Sequence, residues 1–134
     1  MHDGLFSNAS DLAILMQMNL QNGVYGGRQF FEPTTIPQFV QQQYDENRRG
    51  MGWDKPVVGQ EEGPTSRHAS GSTFGHTGFT GTAAWADPEN ELVFIFLSNR
   101  IYPDASNAKL ITANIRTRIQ DLVYESIWNF QPGN

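Results

Sequence analysis

The chain has 134 residues, 38% of them hydrophobic and 12% aromatic, which suits one folded domain that hides roughly two thirds of its unfolded surface. A formal charge of −5, with no basic run longer than Arg48-Arg49, argues against a nucleic-acid surface. Cysteine is absent, which excludes disulfides and thiolate metal sites, and no apolar run reaches the roughly 18 residues a membrane span needs.

The opening MHDGLFSNASDLAILMQMNLQNG moves almost at once into a helix. Ser7 or Asn8 can cap its first turn, and Asp11 complements the positive helix end. Leu12, Leu15, Met16 and Leu20 form one face that Ile14 and Met18 widen, which predicts a helix buried on most sides. Asn22-Gly23 supplies the stop. Such an opening suggests a chain cut from something longer. Gly26-Gly27 marks a turn, and a second helix is expected from Thr35 to Gln43, with Pro33 or Pro37 in its first turn. RRGMGWD (48–54) reads as a short strand or extended piece, and residues 55–71 as an irregular loop.

Two short strands are expected within residues 72–86, then a turn at DPEN (87–90). ELVFIFLSN (91–99) is almost continuously apolar, which predicts a central strand covered on both faces. Tight turns between consecutive strands imply an antiparallel sheet. From Asn107 to Trp128 the periodicity predicts one long helix on the sheet. Leu110, Ile111, Ile115, Ile119, Leu122, Val123 and Ile127 would face inward, and Arg116, Arg118, Asp121 and Glu125 outward. The fold class is α+β: N-terminal helices, a three-stranded antiparallel sheet and a long C-terminal helix.

Few residues carry chemistry. His76 lies in a strand flanked by Gly75 and Gly78, where another backbone or a ligand could come close. It could move a proton near neutral pH, or it is simply a half-buried strand residue. His2, His68 and His76 lack ligand spacing, so neither a metal nor a cofactor is expected. Gly75, Gly78 and Gly81 do not form a phosphate loop, and no serine stands in a G-x-S-x-G elbow. Ser106 to Lys109 fits S-x-x-K, which could pair a nucleophile with an activating lysine. At the start of the predicted C-terminal helix it reads better as an N-cap serine followed by a surface lysine.

Three stretches together resemble the C-terminal part of the serine β-lactamase and penicillin-binding protein superfamily, closest to its class C-like β-lactamase, D-alanyl-D-alanine peptidase and esterase branch. They are DGLFSNASDLA (3–13), RGMGWD (49–54) and GHTGFTGTAAWADPENELVFIFLSNR (75–100). The last is similar to the strand carrying K-T-G or H-T-G, the following hairpin and the asparagine-arginine end of the last strand.

The resemblance implies a partial β-lactamase/transpeptidase-like fold, with 1–54 belonging to a helical subdomain, 55–71 a loop, and 72–134 the sheet hairpins and last helix. It implies that His76 helps with proton traffic, that Thr77 offers a hydroxyl to a substrate carboxylate, and that Gly78 keeps the cleft wall thin. The Phe79 backbone N–H would be an oxyanion donor. The family's serine stands in an S-x-x-K that precedes the K-T-G strand, and no S-x-x-K precedes His76 here. The expected function is the C-terminal part of a β-lactam, D-alanyl peptide or ester hydrolase, inactive alone. The alternative is a non-catalytic binding module derived from that fold. The expected partners are the N-terminal part of the parent domain, a small-molecule substrate, and a second copy through the strand edge at 91–99. The parent is expected to be exported.

Overall fold

The computed structural model of the protein describes residues 6–57 and 63–129. Helix α1 (Ala9–Leu20) is capped by Asn8, whose side chain accepts from the Asp11 N–H at 3.0 Å and donates to the Asp11 carboxylate at 2.8 Å. The helix closes at Asn22 with a left-handed residue (φ 51), and the Gly23 N–H donates back to the Met18 carbonyl at 2.8 Å. Met16 and Asn19 are buried, whereas Ile14 and Leu15 remain 41% and 42% exposed. The helix is therefore covered along one face, not on most sides, with residues 83–96 packed against that face and residues 24–25 beside its end.

Strands β1 (Val24–Tyr25) and β2 (Arg28–Gln29) form a small hairpin on Gly26-Gly27, both with positive φ as a two-residue turn requires. Helix α2 (Thr35–Val40) contains Pro37 in its first turn but ends before Gln43. Its last turn is met by the returning chain: the Met51 N–H donates to the Phe39 carbonyl at 2.8 Å. A Cβ on Gly50 would lie 2.5 Å from that same oxygen. Residues 48–54 form no strand. Their backbone meets the sheet at one bridge, Asp54 to Gly75, with N–H···O distances of 2.7 and 3.1 Å, and the Trp53 ring packs edge-on to Phe74 at 5.2 Å. Lys55 then donates to the carbonyls of Val40, Ser72 and Thr73, and burial lowers its pKa.

The sheet is antiparallel in the order β3 (Phe74–Thr77), β4 (Ala83–Asp87), β5 (Leu92–Phe96). Its register pairs His76 with Ala84, and Ala84 with Ile95. The central strand is β4, not the more apolar β5, because the chain order of two tight hairpins puts the middle strand in the middle. Continuous hydrophobicity in β5 instead reflects layers on both faces. Phe74, Ala84, Ala86, Val93 and Ile95 pack with Met16 and Leu20 of α1 on one face. On the other, Ala83, Trp85, Phe94 and Phe96 pack with Val123. The outer edge of β5 pairs with no strand among the described residues.

The predicted long C-terminal helix is two helices, α3 (Lys109–Thr112) and α4 (Ile115–Asn129), separated at Asn114, which has φ 49. Its rotation also differs from the expectation. Gln120 and Tyr124 are buried, while Leu122 is 61% and Ile127 46% exposed. Polar anchors set that rotation: Tyr124 donates to Asp87, the Gln120 side chain accepts from the Ser66 N–H, and Arg116 donates to the Thr82 carbonyl. A buried polar group must keep its partner, which outweighs the solvation of one or two aliphatic side chains.

Candidate active-site wall

Strand β3 delivers His76 and Thr77 to a tight turn. The Gly78 N–H donates to the Thr82 carbonyl at 2.8 Å, and the Gly81 N–H donates to the Gly78 carbonyl at 3.0 Å. Arg100, just past β5, holds this turn from outside. Its backbone N–H donates to Thr80 O and its Nε to Phe79 O, both at 2.9 Å, and its guanidinium stacks 4.7 Å over the Phe79 ring. The Phe79 ring is 70% exposed, and its backbone N–H has no acceptor among the described residues.

His76 is held at both ring nitrogens. Nε2 lies 3.0 Å from Arg49 Nη1, and Nδ1 lies 2.7 Å from the Thr77 carbonyl. A guanidinium only donates, so Nε2 accepts and Nδ1 carries the proton given to Thr77 O. The ring is the Nδ1–H tautomer with its Nε2 lone pair turned to Arg49. Nearby, Asp54 is engaged by Arg48 through two contacts, 2.8 and 2.9 Å, while Arg49 Nη2 stands 3.8 Å away.

Three of the sequence-predicted residues, His76, Thr77 and Gly78, line one cavity of about 360 Å³. Thr80, Thr82, Ala83, Ala84 and Leu97 complete the sheet side, and Ser7 and Leu12 at the start of α1 close it. A Cβ on Gly78 would fall 2.2 Å from Thr82 Oγ1, so the glycine makes room for that hydroxyl. A larger hollow of about 520 Å³, between α1 and the β4–β5 turn, offers one carboxylate, Glu91, and the two amides of Gln17 and Gln21. The smaller cavity is the one equipped with a histidine and hydroxyl residues.

Other candidates fall elsewhere. Ser106 does not cap a helix: α3 starts three residues later, and Ser106 Oγ donates to Asp104 Oδ2 at 2.8 Å in an exposed turn. Ser106 and Lys109 thus do not share a helical turn, and neither lines the His76 cavity. His68 packs edge-on to Trp128 at 4.8 Å and lies 3.4 Å from Glu125. His2 lies outside the described residues. No group of three or more metal-ligating side chains occurs among the described residues, and none of their helices is long and apolar enough to cross a membrane. Sequence reasoning missed Arg49, Arg100 and Thr82. The only hints were the Arg48-Arg49 pair beside G-x-G-W and the arginine ending LSNR.

Known proteins are similar to this chain. Relatives from Salmonella gallinarum (strain 287/91 / NCTC 13346) and Salmonella newport (strain SL254), each named "Putative D-alanyl-D-alanine carboxypeptidase", are 36% identical over 109 residues, 81% of this chain and 25% of theirs. The chain spans about a quarter of the length of the curated relatives it matches. The Beta-lactamase family matches residues 1–117, which takes in α1, α2, α3, the His76 strand and the rest of the three-stranded sheet. An α+β chain matched over that length, with its H-T-G strand beside α1, belongs to the Beta-lactamase family.

Proposed function

We propose that residues 74–100 form one wall of an acyl-transfer cleft in a longer serine hydrolase of the D-alanyl-D-alanine carboxypeptidase and β-lactamase kind. The observation that carries this reading is the Phe79 N–H, one residue past Gly78, in a turn braced by Arg100 and without an acceptor among the described residues. A donor fixed in that way needs no reorganisation when charge develops on a carbonyl oxygen, and is worth about 3–4 kcal/mol in the transition state. His76 offers an acceptor nitrogen suited to proton relay, and Thr77 a hydroxyl for an anionic substrate group. The S-x-x-K serine comes, in this reading, from outside residues 1–134, and the longer protein works as an exported enzyme.

The same reading assigns the outer edge of β5. In the longer protein it pairs with a strand of the N-terminal part; in the isolated chain it pairs with a second copy.

Intact-mass measurement after exposure to a fluorescent penicillin and to a serine-reactive phosphonate tests the proposal. One adduct is expected on the full-length protein and none on the 134-residue chain. An adduct on Ser106 of the short chain would overturn the division of labour. No adduct on the full-length protein with either reagent would favour a non-catalytic binding module built on the same fold.

A further inference from the structure

We infer that the hollow between α1 and α2 is a second binding site, for a small neutral aromatic molecule carrying one N–H or O–H donor. It measures about 250 Å³ and shares no lining residue with the His76 cavity. Phe31, Phe39 and Trp53 supply aromatic walls, and Leu15 and Ile36 aliphatic ones. Asn19 and Thr35 complete the lining, so no charged side chain takes part. A charged ligand would lose hydration there without gaining a partner.

The walls are set by contacts of their own. The Trp53 ring is seated against Phe74, and the Phe39 carbonyl accepts from the Met51 N–H at 2.8 Å. The Phe31 carbonyl accepts from the Gln29 side chain, and Gly23 approaches so closely that a Cβ there would lie 2.9 Å from Phe31 Cβ. The space is therefore shaped before a ligand arrives, which spares binding an ordering cost. Its volume falls below the roughly 300–1,000 Å³ of sites for drug-sized ligands, so it suits one ring system.

One polar atom gives the site its chemistry. Asn19 is only 6% exposed, and its Nδ2 donates to the Leu15 carbonyl at 2.7 Å. That bond fixes the amide, since exchanging its N and O would set two acceptors face to face. Oδ1 has no donor among the described residues. It is not sealed in either, because among those residues only Trp85 Nε1 is both fully enclosed and without a partner. The open space that Asn19 lines is this hollow. A ligand donor that reaches Oδ1 makes its bond in apolar surroundings, whereas a ligand without one leaves that acceptor dry.

The test uses the full-length protein with indole and benzofuran, which match in shape but put an N–H or a ring oxygen at the same place. Methyl ¹H–¹³C shifts of Leu15 and Ile36 report the site, and Val123, on the other face of the sheet, is the internal control. Indole is expected to shift both reporters and to bind about tenfold more tightly than benzofuran, the factor set by one hydrogen bond against a stranded acceptor. Asn19→Leu should bring the two affinities within about twofold of each other. Equal affinity in the wild type, a preference kept in Asn19→Leu, or shifts away from Leu15 and Ile36 would overturn the inference. So would binding of neither probe up to its solubility, the result expected if a side chain from elsewhere in the longer protein fills the hollow. Should Asn19→Leu fail to fold, the wild-type comparison of the two probes still decides.

Discussion

Tyr124 donates its phenolic hydroxyl to Asp87 at 2.6 Å, and each side chain is only 1% exposed. Asp87 also accepts from the backbone and hydroxyl of Ser70, from the Glu89 and Asn90 N–H groups, and from the Asn90 side chain. One carboxylate thus closes the β4–β5 turn, anchors the loop before β3 and fixes the rotation of α4. Burial, and then the bond to and charge of Asp87, push the Tyr124 hydroxyl well above its ordinary pKa.

Replacing Tyr124 with Phe removes a donor from a carboxylate that cannot reach water. A loss of about 1–3 kcal/mol is expected, read as a lower urea midpoint at pH 7 with unchanged slope. An unchanged midpoint would show that the Tyr124–Asp87 bond adds nothing to the anchoring of α4.

Acid should release the same hub. Burial by itself would raise the Asp87 carboxyl, but the donors from Ser70, Tyr124 and Asn90 outweigh it and hold the pKa at about 2. The folded value lies below the unfolded value of about 3.9, so the stabilisation is complete above about pH 5 and is lost as pH falls toward 2. Its size is about 2 kcal/mol. Urea midpoints measured from pH 6 to pH 2 should fall across that window, and Asp87→Asn should flatten the fall.

Gly75 and Gly78 should respond very differently to alanine. At Gly75 a Cβ would meet the Ala84 carbonyl oxygen at 2.1 Å and the Trp85 ring at 2.5 Å, in the tightest part of the sheet. Gly75→Ala should cost about 2–3 kcal/mol. At Gly78 the obstacle is a threonine hydroxyl that can rotate away. Gly78→Ala should therefore cost less than about 1 kcal/mol in stability while slowing acylation of the full-length protein. Thermal melts of the pair, alongside the acylation rate, give the comparison.

Arg100→Ala removes the bond to Phe79 O and the stack on its ring. The global Tm should move by only a few degrees, whereas amide exchange at residues 79–82 should quicken by about tenfold or more, a purely local opening. Lysine should not restore the protection, since it lacks the planar fork. Equal exchange in wild type and Arg100→Ala would mean that the turn holds itself.

Leu97, 43% exposed at the end of β5, reports on the strand edge. Light scattering of the isolated chain at micromolar concentrations should give a mass above the monomer, and Leu97→Lys should bring it down. A monomer in both would remove self-pairing from the proposal.

Much of this fold was legible in the sequence because local rules governed it. Asn8, Asn22-Gly23, Gly26-Gly27 and the Asp87 turn act within a few residues of themselves, and the two hairpins of the sheet follow from adjacency. His76 and its two followers were legible as a motif on a strand. What escaped was long-range. The rotation of α4 follows from bonds across 37 and 54 residues, Tyr124 to Asp87 and Gln120 to Ser66, which no hydrophobic period records. Arg49 reaches His76 across 27 residues, and in sequence it is only half of a surface-looking basic pair.

The bridge between Asp54 and Gly75 has a practical side for anyone recombining relatives. Phe39 O, Met51 N–H, the Asp54 backbone and Gly75 form an unbroken tie from the end of α2 to the strand that carries His76. Strand β3 and segment 48–54 are consequently one exchangeable block. A chimera cut between them would inherit an H-T-G whose histidine is set by one parent and whose arginine is aimed by the other.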